Sequence, residues 1–269
     1  MRAWWQDVMD LVVPSECAGC GRPRAVVCAV CARALHSSPP RRVHPVPEPS
    51  GLPAVYAAAP YADAVRALLL AHKERGALAL ARPLGTALAA AVRAAAGGRG
   101  AAAGPVLLVP VPSAGGAVRA RGHDPVRRIA LAAAAELRRS GTPARVLAAL
   151  RQRRAVADQS SLSPAQRGAN VAGALGAAPG TGAVLRAAGR VVLVDDLVTT
   201  GATLAEAARA LSAAGVEKRT HAAAVAAAPD STGAPGPVGA RPRARLRTPA
   251  EGRPGELPQN LHHRRSEED

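Results

Sequence analysis

Two adjacent carboxylates followed by a threonine-rich segment stand late in the chain, directly after an apolar run. Asp195 and Asp196 follow residues 191–194, and next come Val198, Thr199, Thr200, Gly201, Ala202 and Thr203. Paired carboxylates can accept hydrogen bonds from vicinal sugar hydroxyls or gather Mg²⁺ through water. Backbone N–H groups and hydroxyls at a helix start suit a phosphate, and glycine lets the backbone approach it. The set fits a ribose 5-phosphate; the alternative is a solvated turn in which Thr203 caps a helix.

The four cysteines form a second group that could hold a ligand. Cys17, Cys20, Cys28 and Cys31 make two CxxC pairs separated by seven residues. This spacing is typical of a zinc site, and four thiolates leave no open position for water, so we expect structural zinc and no zinc chemistry. Two disulfides are the alternative and would suit an exported protein. Residues 1–13 lack an export signal, so we expect a cytoplasmic protein without membrane insertion.

Composition limits the classes of function. The chain has 269 residues, 48% of them hydrophobic but only 1% aromatic, so Ala, Val and Leu must form the core. Four aromatic residues cannot build the stacking surface of an RRM or of an OB-fold reader. The net charge is +16, and residues 118–167 contain eleven arginines and three acids, which favours a polyanionic ligand. P-loop and Rossmann fingerprints are missing from the sequence.

The hydrophobic pattern predicts a parallel α/β sheet, because short apolar runs alternate with helical segments. We expect strands near residues 105–112, 144–147, 189–194 and 220–226, and helices over 62–73, 77–96, 125–139 and 203–214. Residues 39–53 are rich in proline and read as a linker. The predicted organisation is a small module with this linker at 1–49, a main domain at 50–228 and a disordered tail at 229–269.

In this order the motifs resemble two known families. The loop after Asp195 and Asp196 resembles the phosphoribosyl-pyrophosphate (PRPP) loop of type I phosphoribosyltransferases. Together with the CxxC pairs and with Pro110 to Gly122, it resembles the ComF-type competence family over about residues 12–227. The resemblance implies a parallel-sheet type I phosphoribosyltransferase fold with an N-terminal zinc module. It also implies binding of PRPP with Mg²⁺ and transfer of phosphoribosyl to a nitrogenous acceptor. The alternative is a non-catalytic accessory protein that binds single-stranded DNA or DNA-uptake proteins.

The resemblance also assigns roles to residues outside the central motif. It makes Asp195 and Asp196 catalytic, gives Arg119, Arg121 and Gly122 to a loop facing the leaving diphosphate, and matches Lys73 to a family lysine. Residues 151–170 resemble a hood that closes over PRPP, with Gln159, Ser160, Arg167 and Asn170 as contacts. The alternatives are a basic surface loop for the arginines, a polar connection for the hood, and a lysine that satisfies helix-end carbonyls.

One segment departs from the family pattern. Where the family usually reads Arg-Gly-Phe-Asn-Gln, this chain reads Arg121-Gly122-His123-Asp124-Pro125. The glycine keeps the loop path, but the contacts of the amide pair are lost, and an acid beside a diphosphate repels it unless Mg²⁺ intervenes. His123 could contact ligand or act as a base, or do neither.

Overall fold

The computed structural model describes residues 16–97, 104–154, 164–216 and 220–229. Within 164–171 the side chains of residues 164, 165 and 167 are outside the description. The predicted disordered tail lies outside the described residues from position 230 onward.

The described chain contains eight helices and eight strands. The helices are α1 (Ala29–His36), α2 (Asp63–Glu74), α3 (Ala81–Ala95), α4 (Gly115–Arg121), α5 (Pro125–Arg139), α6 (Pro164–Val171), α7 (Gly182–Ala187) and α8 (Ala202–Ser212). A 3-10 turn, Leu78–Leu80, precedes α3. The strands are β1 (Arg41–Val43), β2 (Val55–Pro60), β3 (Val106–Pro110), β4 (Ala144–Val146), β5 (Leu150–Gln152), β6 (Leu175–Ala177), β7 (Arg190–Val198) and β8 (His221–Ala227).

Six of the strands form one sheet in the order β1-β2-β8-β7-β3-β4. The five strands from β2 to β4 in that order are parallel, and β1 is antiparallel at the edge. Strands β5 and β6 form a separate antiparallel pair, which we call the arm. The parallel α/β architecture predicted from the sequence is therefore confirmed.

Small side chains allow the helices to pack closely on this sheet. Strands β7 and β8 are buried along almost their whole length, and most of their buried residues are Val and Ala. Helices α3 and α5 meet at Gly85, where an added Cβ would stand 2.5 Å from the Cβ of Ala132. A core with almost no aromatic residues thus lets α3 and α5 approach so closely that not even a methyl group fits at Gly85.

Several segments differ from the sequence-based expectations for physical reasons. Residues 41–43 of the predicted linker pair with β2, because an extended basic segment can add to an exposed edge. The loop carrying Arg119 and Arg121 contains α4, which ends at Gly122 in the left-handed conformation at φ 73°. Strand β7 extends four residues beyond the predicted end at Val194, since β8 continues to pair with it as far as Val198. The short β5, β6 and α7 carry too few residues to show a hydrophobic period.

One described segment, Leu78–Ala95, has the length and composition of a membrane span, with a mean hydropathy of 1.2. Half of it is buried inside the fold, and α3, which makes up most of it, packs against β2, β8 and α5. The segment is accounted for as a core helix.

Candidate functional site

The paired carboxylates lie within the last residues of β7, at the carboxyl edge of the sheet. Pro110, the last residue of β3, is opposite Val194, so Asp195 and Asp196 extend beyond the end of that neighbouring strand. On the other side Asp195 is opposite Ala224 of β8. Because ligands of open parallel sheets bind outside the carboxyl ends of the strands, the two carboxylates stand where such a ligand would lie.

Asp196 is held by a lysine from another element. Its residue is only 6% exposed, and its Oδ2 lies 3.1 Å from Nζ of Lys73 near the end of α2. The charge of Asp196 raises the pKa of Lys73 above its usual value, with a smaller contribution from Asp195 in the same direction. The structure therefore brings together Lys73 and the two carboxylates, although they are more than 120 positions apart in the sequence.

Asp195 is in a different electrostatic position. It keeps partial exposure, but the surrounding protein raises its pKa well above the usual range, and the neighbouring charge of Asp196 acts in the same direction. Its Oδ1 accepts a hydrogen bond of 2.8 Å from the backbone N–H of Asp196. A cation or a hydroxyl donor placed at this carboxylate would relieve its unfavourable charge.

The threonine segment connects β7 to α8. Thr199 and Thr200 are partly exposed, Val198 and Ala202 are buried, and Gly201 begins the helix in the left-handed conformation at φ 74°. A Cβ on Gly201 would stand 3.0 Å from both Cδ atoms of Leu52, in the predicted linker. Glycine is therefore required here by its backbone conformation and by this close contact. The approach of a phosphate to Gly201 stays a prediction.

The two arginines assigned to the diphosphate lie in different environments. Arg121 donates to both carboxylate oxygens of Glu74, Nε at 3.1 Å and Nη2 at 3.2 Å, so its guanidinium is already paired. Arg119, two residues earlier on α4, is exposed. Glu74 directly follows Lys73, so the end of α2 contacts both α4 and β7.

Arg119 opens onto a cavity of about 480 Å³ whose other wall comes from the arm. The lining residues are Ser113, Gly115, Gly116, Arg119, Gln152, Arg153 and Arg154. Among the residues that the structure describes, the lining contains three arginines and no carboxylate. We call it the arginine cavity; its chemistry suits an anion with more than one charge.

The arm is fixed so that Arg153 faces this cavity. A Cβ on Gly176 of β6 would lie 2.7 Å from Cδ of Arg153, so the arginine side chain crosses β6 where only glycine leaves room. Strand β6 is in turn tied to α8, because buried Glu206 accepts from the backbone N–H of Leu175 at 3.0 Å and is paired with Arg209. Sequence reasoning did not single out Arg153; the arginine excess over residues 118–167 was the signal for it.

The segment that departs from the family has a structural explanation. Asp124 is the N-cap of α5, with its side chain accepting from the backbone N–H of Arg127 at 3.0 Å, and Pro125 starts the helix as the sequence predicts. His123 contacts backbone carbonyls of Arg121 and His72. The carboxylate of Asp124 therefore caps the first turn of α5.

The predicted hood contacts are only partly described. Gln159 and Ser160 lie outside the described residues, and so does the side chain of Arg167. Asn170 lies in α6 and is partly exposed. Their contacts with substrate remain predictions.

The four cysteines come together as the spacing predicts. Their Sγ atoms all lie within 4.8 Å of one another, and all four are free thiols. Hydrogen bonds, mainly from the backbone N–H of Cys31, lower the pKa of Cys28 to about 6, whereas burial raises that of Cys31. A compact set of four thiols with one already favouring the thiolate fits a tetrahedral Zn²⁺.

Comparison with known families agrees with this geometry. Residues 137–237 match the family model described as the phosphoribosyl transferase domain. The match runs from the end of α5 past β8, and so contains Asp195, Asp196, the threonine segment and the arm. No curated protein matches the chain significantly. Together with the parallel sheet, the match supports a phosphoribosyltransferase-like protein with a cysteine cluster at its N-terminal side.

Proposed function

We propose that the protein binds PRPP together with Mg²⁺ and transfers its phosphoribosyl group to a nitrogenous acceptor. The observation that carries the proposal is the arrangement of opposite charges at one edge of the sheet. The last residues of β7 carry two carboxylates and a helix start that suits a phosphate follows the strand, while the arginine cavity lies beside the helix that follows β3. A sugar flanked by a 5-phosphate and a diphosphate matches this order of groups.

The roles of the residues follow from their positions. The backbone N–H groups and hydroxyls of Thr199 to Thr203 would hold the 5-phosphate at the start of α8. Asp195 and Asp196 would accept hydrogen bonds from the ribose hydroxyls and favour the positive charge that develops on the ring as the bond to diphosphate breaks.

The departing diphosphate would be held by guanidinium groups. Arg119 and Arg153 lie on the arginine cavity, whereas Arg121 is paired with Glu74 and acts there by holding α4 against α2. The acceptor nitrogen then attacks C1 of the ribose, and diphosphate leaves with the bonding electrons. Oxygen ligands suit Mg²⁺, and bound Mg²⁺ would supply further neutralisation of the diphosphate charge.

The cysteine cluster would bind zinc as a structural element, and the order of motifs supports a place in the ComF-type family. A link to competence and single-stranded DNA rests on that resemblance alone. Transfer to a nitrogenous acceptor therefore stands first, because the site at β7 and the arginine cavity are explained by PRPP without a nucleic acid.

The proposal is tested by release of inorganic diphosphate from PRPP. The purified protein with Mg²⁺ and PRPP is supplied with ammonia or with a panel of nitrogen bases, and diphosphate is measured. We expect release that depends on one of these acceptors and is abolished by Asp195→Asn combined with Asp196→Asn, while Arg145→Met, at an exposed position of β4, retains it. Release that is unchanged in the double variant would overturn the assignment of the site.

A further inference from the structure

A pair of histidines joins the end of α2 to the junction between α4 and α5. The rings of His72 and His123 approach edge to face, with centroids 5.8 Å apart. His72 is 1% exposed, although it immediately precedes Lys73, whose side chain reaches Asp196. The mechanism described above uses neither histidine.

All four ring nitrogens of the pair face backbone carbonyl oxygens. In His72, Nδ1 lies 3.3 Å from the oxygen of Ala77 and Nε2 lies 3.4 Å from that of Pro125. In His123, Nδ1 lies 3.1 Å from the oxygen of Arg121 and Nε2 lies 3.3 Å from that of His72. Two of these contacts, one through Nε2 of each ring, join α2 to the segment from Arg121 to Pro125. The two Nδ1 contacts are local to each segment.

When both rings are neutral, the pair has too few N–H donors for the four carbonyl oxygens that it contacts. A carbonyl oxygen only accepts, and a neutral imidazole has one N–H donor and one acceptor nitrogen. Two neutral rings therefore satisfy two of the four contacts, and one added proton supplies a third donor. A second added proton would place two cations at 5.8 Å, one of them buried. Burial lowers the pKa of His72, which opposes that doubly charged state.

Five charged groups lie on the elements packed around the pair. They come from α2, α4, the N-cap of α5 and β7, and are Lys73, Glu74, Arg121, Asp124 and Asp196. Lys73 is matched by Asp196, and Arg121 by Glu74, which leaves Asp124 as the surplus charge. His72 directly precedes Lys73, and His123 follows Arg121 by two residues. Each histidine is therefore close in the chain to a member of one of these two ion pairs.

We propose that His72 and His123 are positioning residues that share one added proton and thereby hold Lys73 and Arg121 in place for PRPP binding. The inference rests on the proposed function, since its consequence is an affinity for PRPP. The third hydrogen bond tightens the connection between α2 and α4, and Lys73 and Glu74 are the next two residues along α2.

The test compares three variants with the wild-type protein by calorimetric titration with Mg²⁺–PRPP at pH 8 and pH 6. His123→Phe keeps a ring of similar size and removes both contacts. His123→Gln keeps one donor and one acceptor but cannot take a proton. His44→Gln is the matched control, because His44 is an exposed histidine paired with Glu48. Each value is expressed as the ratio of variant to wild-type Kd. The effects on Kd of titrating PRPP and Asp195 are common to both proteins and cancel in this ratio.

We expect His123→Phe to raise Kd about threefold at pH 8 and about tenfold at pH 6, as expected for losing one and then two hydrogen bonds. His123→Gln should remain within about twofold at pH 8 and lose affinity only at pH 6. His44→Gln should match the wild type at both values. Equal ratios at pH 6 and pH 8 for His123→Phe would overturn the proposal and leave the ring a packing role.

A second measurement does not depend on PRPP. Long-range ¹H–¹⁵N spectra of the histidine rings report which nitrogens carry protons, and the variants assign His123. We expect the pair as a whole to take up one proton, and not two, as the pH is lowered from 8 to 6, because a second would place two cations 5.8 Å apart. Ring signals of both residues that do not change over this range would contradict the inference. A wild-type protein that titrates as expected but does not bind PRPP would instead contradict the proposed function.

Discussion

Asp195 connects the stability of the protein with its ligand site at the scale of one residue. Its pKa is raised by the surrounding protein and by Asp196, so the folded state binds its proton more tightly than the unfolded chain does. Any stability contributed by the protonated form is present below the unfolded pKa and is lost as the pH rises through the higher folded pKa. Once the pH exceeds the folded pKa of Asp195, the unliganded protein carries an unfavourable charge at this position.

Asp195→Asn should consequently make the unliganded protein more stable. Asparagine keeps an oxygen that can accept from the N–H of Asp196, and it removes the charge. Denaturant unfolding of both proteins at pH 5 and pH 8 should show a larger advantage of the variant at pH 8, together with loss of PRPP binding. A variant that is less stable than the wild type at pH 8 would show that the carboxylate is satisfied within the fold.

Lys73 and Asp196 should behave as a coupled pair. Lys73→Met leaves the nearly buried carboxylate of Asp196 without its partner, while the lysine side chain is 37% exposed. We expect a loss of about 2 kcal/mol in the free energy of unfolding, below the usual cost for a fully buried pair. Adding Asp196→Asn should restore most of that loss. Strictly additive effects in this double-mutant cycle would mean that the pair contributes nothing to the fold.

At the scale of helices, the contact between α3 and α5 depends on a missing side chain. A Cβ at Gly85 would stand 2.5 Å from the Cβ of Ala132 and 2.9 Å from backbone atoms of α5. Gly85→Ala should therefore destabilise the protein by about 1–3 kcal/mol, although alanine favours helices. Gly116→Ala, where an added Cβ meets nothing within 4 Å, is the control. Stabilisation by Gly85→Ala would show that the helices can separate at no cost.

The cysteine cluster is built into the same core as α2. Cys17, Cys28 and Cys31 are buried together with Leu68 of α2, and a Cβ at Gly19 would lie 2.8 Å from Sγ of Cys31. We expect about one zinc ion per chain by metal analysis. Removing it with a chelator should accelerate hydrogen exchange in α1 and α2 while α8 stays protected. Unchanged exchange in α2 would show that the cysteine cluster folds independently of α2, the helix that carries Lys73.

Much of this fold could be predicted because its long helices and central strands have clear hydrophobic periods. Helix α5 begins and ends at the predicted residues 125 and 139, since Pro125 suits the first turn. The arm could not be found in this way, because β5 and β6 have three residues each and are specified by Glu206, which lies on another element. The pairing of Arg121 with Glu74 likewise joins positions 47 apart that no local pattern connects.

For the whole molecule, the net charge of +16 exceeds what one PRPP requires. Single-stranded DNA should therefore bind at low salt through its phosphates, and its affinity should fall about 10³-fold or more between 50 and 200 mM salt. The affinity for PRPP should fall much less, because carboxylates and backbone N–H groups contribute to it. Gel-shift and calorimetric titrations over this range separate the two, and equal salt dependence would contradict a local PRPP site.

The central claim is that Asp195, Asp196 and the threonine segment bind the ribose phosphate of PRPP. Calorimetric titration of the full chain with Mg²⁺–PRPP tests it without knowledge of the acceptor. We predict one saturable binding event that is lost when Asp195→Asn and Asp196→Asn are combined and is kept by Arg145→Met. Binding of PRPP that persists unchanged in the double Asn variant would contradict the account.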